Sequence, residues 1–341
     1  MKKIFSLAAV LLSSFALFAF PKPGESDWNL SLEPIFGIKN GQVNEYVYTN
    51  NSNFSDDKLS ELNWEIKPEL YLGGKIYGGW RQIFGQFHFT AGIPMKSGSM
   101  IDKDWKNCDP AYVTWANAQG HDYQTHYSEH DNYLNYDINL SIKAGYDFKV
   151  LSWLNIKPAL AFEYQNIKFT GSDGSASYGG RKSDGYYAPY DDPEDSSKIT
   201  FSGNVISYKR ISSLFWLGSD FAFTLPAIPH LPGFFIIDAG FFTSLYAYAE
   251  SFDSHLLGNI DFADKTEDFF GAFKWNVGLT YQFNQRHSFS FGTTFFYLRE
   301  LRGTNYTKKS SDSAYSKNSA ADGGASAFWC DFAFSYKFRI F

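Results

Sequence analysis

From Tyr133 to Phe148 the chain alternates with a period of two: Leu134, Tyr136, Ile138, Leu140, Ile142, Ala144, Tyr146 and Phe148 stand against Asn135, Asp137, Asn139, Ser141, Lys143 and Gly145. Successive side chains of an extended strand point to opposite faces, so this stretch has one apolar face and one polar face. It is longer than most soluble strands, and it suits a tilted strand with lipid on one side and a polar lumen on the other. The same period recurs in 64–72, 156–164, 273–283 and 289–297. Soluble sandwiches alternate too, but with shorter strands and more uniform connections.

The connections here come in two sizes that take turns. Short links fall near 78–81, 149–153, 227–233 and 284–286, and long polar segments near 40–61, 95–132, 171–204, 250–270 and 303–324. Four short turns and five long loops imply an all-β fold: a closed antiparallel transmembrane β-barrel of about ten strands with five long extracellular loops. Both chain ends then lie on the side of the short turns. Pro226, Pro229 and Pro232 suit a turn rather than a strand interior. The last strand is expected over 328–341, with Phe338 and Ile340 in the apolar phase and terminal Phe341 on the other face.

Met1-Lys2-Lys3, an apolar run from Ile4 to Phe20 and then Pro21-Lys22-Pro23 have the layout of a secretory signal peptide. The expected division is a signal over 1–20, cut near Ala19, and a single barrel domain over 21–341. A spanning helix is a poorer reading, because the run is short, Ser13 and Ser14 interrupt it and Pro21 follows at once. Without Lys2 and Lys3, 28 basic residues face 36 acidic ones, a formal charge of −8. That balance disfavours nucleic acid as a partner and suits cationic ligands. Cys108 and Cys330 are far apart, with Cys330 in a lipid-facing phase, so neither a disulfide nor a metal site is expected. Nothing in the sequence calls for a cofactor.

Two acidic motifs fall in the long segments. Asp102 and Asp104 in loop two are two residues apart, so in extended backbone they present two carboxylates side by side. Asp253 and His255 in loop four share a face for the same reason. Loop two joins strands three and four, and loop four joins strands seven and eight, nearly opposite in a ring of ten. The acid pair and the acid–imidazole pair then face each other across the barrel mouth. A carboxylate orients an imidazole and favours its protonated form, and a second acid pair across a gap can hold a water for attack on a carbonyl. Taken singly, each motif is more often a solvated surface patch; Asp-x-Asp also occurs in calcium loops, but no Gly and Glu follow at EF-hand spacing.

Gly98–Trp105, Asp253-Ser254-His255, Glu45-Tyr46-Val47-Tyr48, Leu62-Asn63-Trp64, and Ser128-Glu129-His130 followed by Leu134-Asn135-Tyr136 stand in the order seen in the omptin family of outer-membrane endopeptidases, which the chain resembles over nearly the whole mature length. The resemblance implies a ten-stranded barrel in the cell outer membrane, loops facing outside, that cleaves peptides beside basic residues. It implies catalytic roles for Asp102, Asp104, Asp253 and His255, a pocket role for Glu45 and site-shaping roles for Ser128 and His130. Outer-membrane lipid is an implied partner, with lipopolysaccharide a candidate. Lys168 matches one lipid-binding position, while Tyr208-Lys209-Arg210 is out by one residue. Ser251 and Asn117 stand where the family often has acids, a departure that bears on the residue preference rather than on peptidase activity.

Three other readings compete. A non-catalytic adhesin fits the long Tyr- and Asp-rich third loop. A diffusion channel fares worse, because about ten strands enclose a lumen largely filled by side chains. A serine nucleophile at Ser128, near His130, lacks a Gly-x-Ser-x-Gly elbow.

Overall fold

A computed structural model describes residues 27–50, 57–114, 120–309 and 311–340. The expected signal segment, Trp115, Asn117 and Phe341 lie outside the described residues.

The alternating segments form antiparallel strands: β1 (Trp28–Thr49), β2 (Lys58–Trp80), β3 (Ile83–Gly92), β4 (Met95–Asp104), β5 (His126–Tyr146), β6 (Phe148–Leu151), β7 (Leu154–Gly179), β8 (Ser196–Thr200), β9 (Asn204–Thr224), β10 (Phe234–His255), β11 (Ile260–Asp268), β12 (Ala272–Gln282), β13 (His287–Lys309) and β14 (Ser316–Arg339). β1 pairs with β2, β2 with β3 and β4, and both of these with β5. β5 pairs with β7, β7 with β9, and β9 with β10. β10 then pairs with β11 and β12, both of these pair with β13, β13 pairs with β14, and β14 pairs back with β1. β3 and β4 occupy one position in the ring, as do β11 and β12, so ten strands make one sheet. β6 and β8 are short partners of β7.

The outward face of the half nearest the short turns is apolar. Leu72, Ile142, Leu160, Val277, Phe291 and Phe334 are all more than half exposed on it. Trp28, Trp80 and Trp153 stand at its turn-side edge, where an aromatic girdle meets the lipid interface. The alternation expected over 133–148 holds from Tyr136 onward but fails at its start. A bulge between Leu134 and Tyr136 adds one residue and reverses the phase, so Leu134 points inward at 2% exposure and Asn135 outward.

Segments read as loops are largely strand. β1 and β2 run to Thr49 and from Lys58 within the expected first loop, and β10 and β11 run to His255 and from Ile260 within the fourth. The strands therefore stand well clear of the apolar belt, and the site residues ride on ladders with fixed register.

Inside the belt the lumen is filled. Lys39 Nζ bridges Glu69 (3.1 Å) and Asp137 (2.5 Å), Lys143 pairs with Asp220 (2.5 Å), and Lys274 pairs with Glu163. Phe296 stacks on Trp329 with centroids 3.8 Å apart. A cavity of about 250 Å³ remains among these side chains. Toward the mouth, Trp64, wholly buried, stacks between Phe169 (5.7 Å) and Tyr208 (5.3 Å), with Val43, Ile66, Met100 and Ile167 around it. This apolar layer is the floor on which the acidic residues sit.

Candidate active site

β4 carries Asp102 and Asp104 at consecutive inward positions, as a period of two requires. Asp102 lies opposite Leu62 on β2 and Ser128 on β5; Asp104 lies opposite Ser60 and His126. Asp102 Oδ1 is buried and has no hydrogen-bond partner among the described residues. Asp104 is engaged by Lys106, whose Nζ is 3.2 Å from Oδ2. The Asp-x-Lys spacing of Asp104 and Lys106 is the sequence signal for that contact.

On the other wall β10 carries Asp253 and His255. Asp253 is 2% exposed, and its Oδ2 lies 2.8 Å from His255 Nε2. Phe262 on β11 meets the imidazole edge-on, with centroids 5.3 Å apart. Asp253 lies opposite Tyr208 and Phe262 on the flanking strands, so a ring covers each side of the pair.

The two walls interact. Burial opposes protonation of His255, but Asp253 outweighs it by charge and hydrogen bond, and Asp102 and Asp104 add to the pull; the imidazole is raised to about 9. Asp102 is held well above the usual carboxylate range, first by burial and then by the charge of Asp104, while His255 draws it down. The carboxylates of β4 and the imidazole of β10 are thus brought into one electrostatic unit.

Ser128 (4% exposed) and His130 (3%) point inward from β5, and His130 Nε2 is 3.0 Å from Ser128 Oγ. His130 Nδ1 lies 2.5 Å from the Asp173 carbonyl oxygen, an acceptor that fixes the proton on Nδ1. Burial lowers the pKa of His130. Glu45, on β1, lies deeper, 2% exposed, with Oε2 unpartnered among the described residues. Burial raises its carboxyl well above the ordinary range, followed by the charges of Asp253 and Asp264.

Asp264 was missed from the sequence. It lies on β11, is fully buried and faces the same space as Glu45. Its stretch had been read as loop; the inward alternation Phe262, Asp264, Thr266 was the signal that could have found it. Two further expectations concern the outer wall. Lys168 and Lys209 are cross-strand partners, both half-buried on the outward side, whereas Arg210 is 1% exposed and points inward. Among the described residues no group of His, Cys, Asp and Glu could hold a metal ion.

A ring of ten antiparallel strands girdled by apolar side chains defines a multi-strand outer-membrane protein. More narrowly, the chain belongs to the omptin family, whose family model matches residues 26–338. Among solved structures, the outer-membrane protease OmpT of Escherichia coli matches at 17% identity and a TM-score of 0.73, covering 94% of this chain and 99% of that one. The translocator domain of the autotransporter NalP from Neisseria meningitidis matches at 7% identity and a TM-score of 0.35, covering 97% of this chain and 95% of that one. OprG of Pseudomonas aeruginosa matches at 8% and 0.34, covering 92% and 98%. No curated protein sequence matches the chain significantly.

Proposed function

We propose that this protein is an endopeptidase of the outer membrane, hydrolysing peptide bonds beside basic residues. The observation that carries the reading is the 2.8 Å contact of Asp253 Oδ2 with His255 Nε2 on the inner face of the mouth, where the charges of Asp102 and Asp104 also act on the imidazole. In its neutral form His255 takes a proton from a water held between itself and Asp102. The water oxygen bonds to the peptide carbonyl carbon, and the resulting imidazolium returns the proton to the leaving amine as the C–N bond breaks. Asp253 fixes the ring and stabilises the imidazolium. Asp104 supports Asp102, Ser128 and His130 shape the pocket, and Glu45 attracts the cationic side chain of the substrate.

The same proposal includes a signal over 1–20, one barrel domain over 21–341, ring closure into a barrel, and five long loops outside the cell. Lys168 and Lys209, outward neighbours just above the apolar belt, suit the phosphates of a lipid headgroup such as that of lipopolysaccharide.

Cleavage-site mapping by mass spectrometry on a random peptide pool, with refolded protein, tests activity and preference together. Cuts beside Arg or Lys are expected. His255→Ala is expected to lower turnover by about 10²–10⁴-fold, the scale of a positioned acid–base group, while the barrel stays heat-modifiable on gels. Undiminished cleavage by that variant removes the mechanism, and peptide binding without cleavage at any pH favours an adhesin.

The Ser128 Oγ–His130 Nε2 contact of 3.0 Å favours one second reading, a serine nucleophile. Covalent labelling of Ser128 by a serine-directed phosphonate would support it; no labelling is expected.

A further inference from the structure

Below the dyad, Ser251 on β10 lies opposite Asp264 on β11. Asp264 is 0% exposed and Ser251 1%, so neither faces water. Asn305 Nδ2, on β13, donates to Asp264 Oδ1 at 2.8 Å. That same oxygen occupies the notch at Gly323 on β14, where a Cβ would lie 1.9 Å from it. A glycine there lets Asp264 reach past two strands toward Glu45 on β1. Asp264 Oδ2 and Glu45 Oε2 have no hydrogen-bond donor among the described residues. The two carboxyls are nevertheless within hydrogen-bonding reach of each other once one of them carries a proton.

Buried carboxylates in contact cannot both ionise unless something positive joins them. Deeper in the lumen, Glu69 and Asp137 share Lys39, a cation of the chain itself. Arg210, opposite Ser251 on β9, donates Nη1 to the Ser326 carbonyl oxygen at 2.9 Å and leaves Nε and Nη2 without a partner, but among the described residues no lysine or arginine forms an ion pair with Glu45 or Asp264. The Glu45–Asp264 pair is therefore built to receive its cation from outside.

We propose that Asp264 is a specificity-determining residue, forming with Glu45 a two-carboxylate pocket for the ammonium or guanidinium of a substrate side chain. This rests on the peptidase reading for its substrate, though not for its cation. Entry of the cation displaces the shared proton to water and leaves two carboxylates around one positive charge. The ladder also makes Ser251 and Asp264 interchangeable: an acid at either position projects into the same space from adjoining strands.

The test uses refolded full-length barrel, heat-modifiable on gels, and two probes: N-acetyl-Ala-Arg-Arg-Ala-amide and its all-alanine counterpart. Cleavage is followed with each, and binding is measured in the His255→Ala background. Asp264→Asn is expected to weaken binding and kcat/KM about 10–100-fold more for the arginine peptide than for the alanine peptide. The double exchange Ser251→Asp/Asp264→Ser is expected to restore both to within a few-fold, which also guards against a variant that simply misfolds. Binding that depends on Asp264 without cleavage by the unaltered protein would retain the pocket and sink the peptidase reading. Arginine-peptide binding and cleavage unchanged in Asp264→Asn, or no preference for the arginine peptide in the unaltered protein, would overturn the pocket.

Discussion

The lumen within the lipid belt and the mouth above it are both rich in buried acids, and they are completed in opposite ways. Below, Glu69 and Asp137 share Lys39, Asp220 meets Lys143, and Glu163 meets Lys274. Above, Glu45, Asp102, Asp253 and Asp264 each keep a buried oxygen with no donor among the described residues, as Glu69 also does below, but none of these four has a lysine or arginine in ion-pair contact. A carboxylate taken out of water is costly unless it is paired, so the lower acids serve the fold, while the upper acids are left, on the proposed function, for a cation that the substrate brings. On that reading the same residue type is structural in one storey and poised for a ligand in the other.

That contrast predicts separable phenotypes. The largest expected effect is on chemistry: Asp102→Asn should lower turnover by about 10²–10⁴-fold with no loss of thermal stability, because it removes an unpaired buried charge. A matching fall in melting temperature would mean that Asp102 belongs with the structural acids. Lys39→Met should do the reverse, costing about 3–5 kcal/mol by leaving two buried carboxylates without a cation, with kcat/KM per folded molecule unchanged. Denaturant unfolding beside an activity assay separates the two.

The pH dependence sharpens the comparison further. On the proposed mechanism His255 must be neutral to take the proton and Asp102 ionised to hold the water, and both are raised, so kcat/KM is expected to climb with pH and level off at about 9. Asp253→Asn, which removes the main group favouring the imidazolium, should move that limb down toward the ordinary histidine value. For folding, the His255 contribution is present in full below about 6.5 and is lost as pH rises through about 9. Melting temperatures should accordingly decline across that window, and a flat profile would contradict the dyad's coupling. The smallest expected effect is at Phe262→Ala. Losing the edge contact with His255 is worth about 0.5–1.5 kcal/mol, a drop in kcat/KM of up to about tenfold, read from steady-state rates.

How far the sequence reaches follows the same division. The apolar belt was legible because lipid enforces an uninterrupted alternation, as in Ile138, Ile142 and Tyr146. The bulge beside Leu134 was not, since one inserted residue leaves no compositional trace and only the partner strand reveals it. Strand extensions such as β10 up to His255 were mistaken for loop because both of their faces are polar, so a period of two has nothing to alternate. The dyad was still found, because residues two apart share a face whatever the segment is called. For Asp264 the alternation with Phe262 and Thr266 marks an inward position, but its meaning depends on Ser251 across the ladder and on the notch at Gly323, and pair relations of that kind are not written along the chain.

Trp64, clamped between Phe169 and Tyr208, has a consequence for traffic. It gives the basin a stopper, and on the proposed peptidase reading fragments released there return to the surroundings by the opening through which the substrate entered instead of reaching the periplasm. On that reading the enzyme works outward from the cell, and the permeability barrier of the membrane stays intact while it does so.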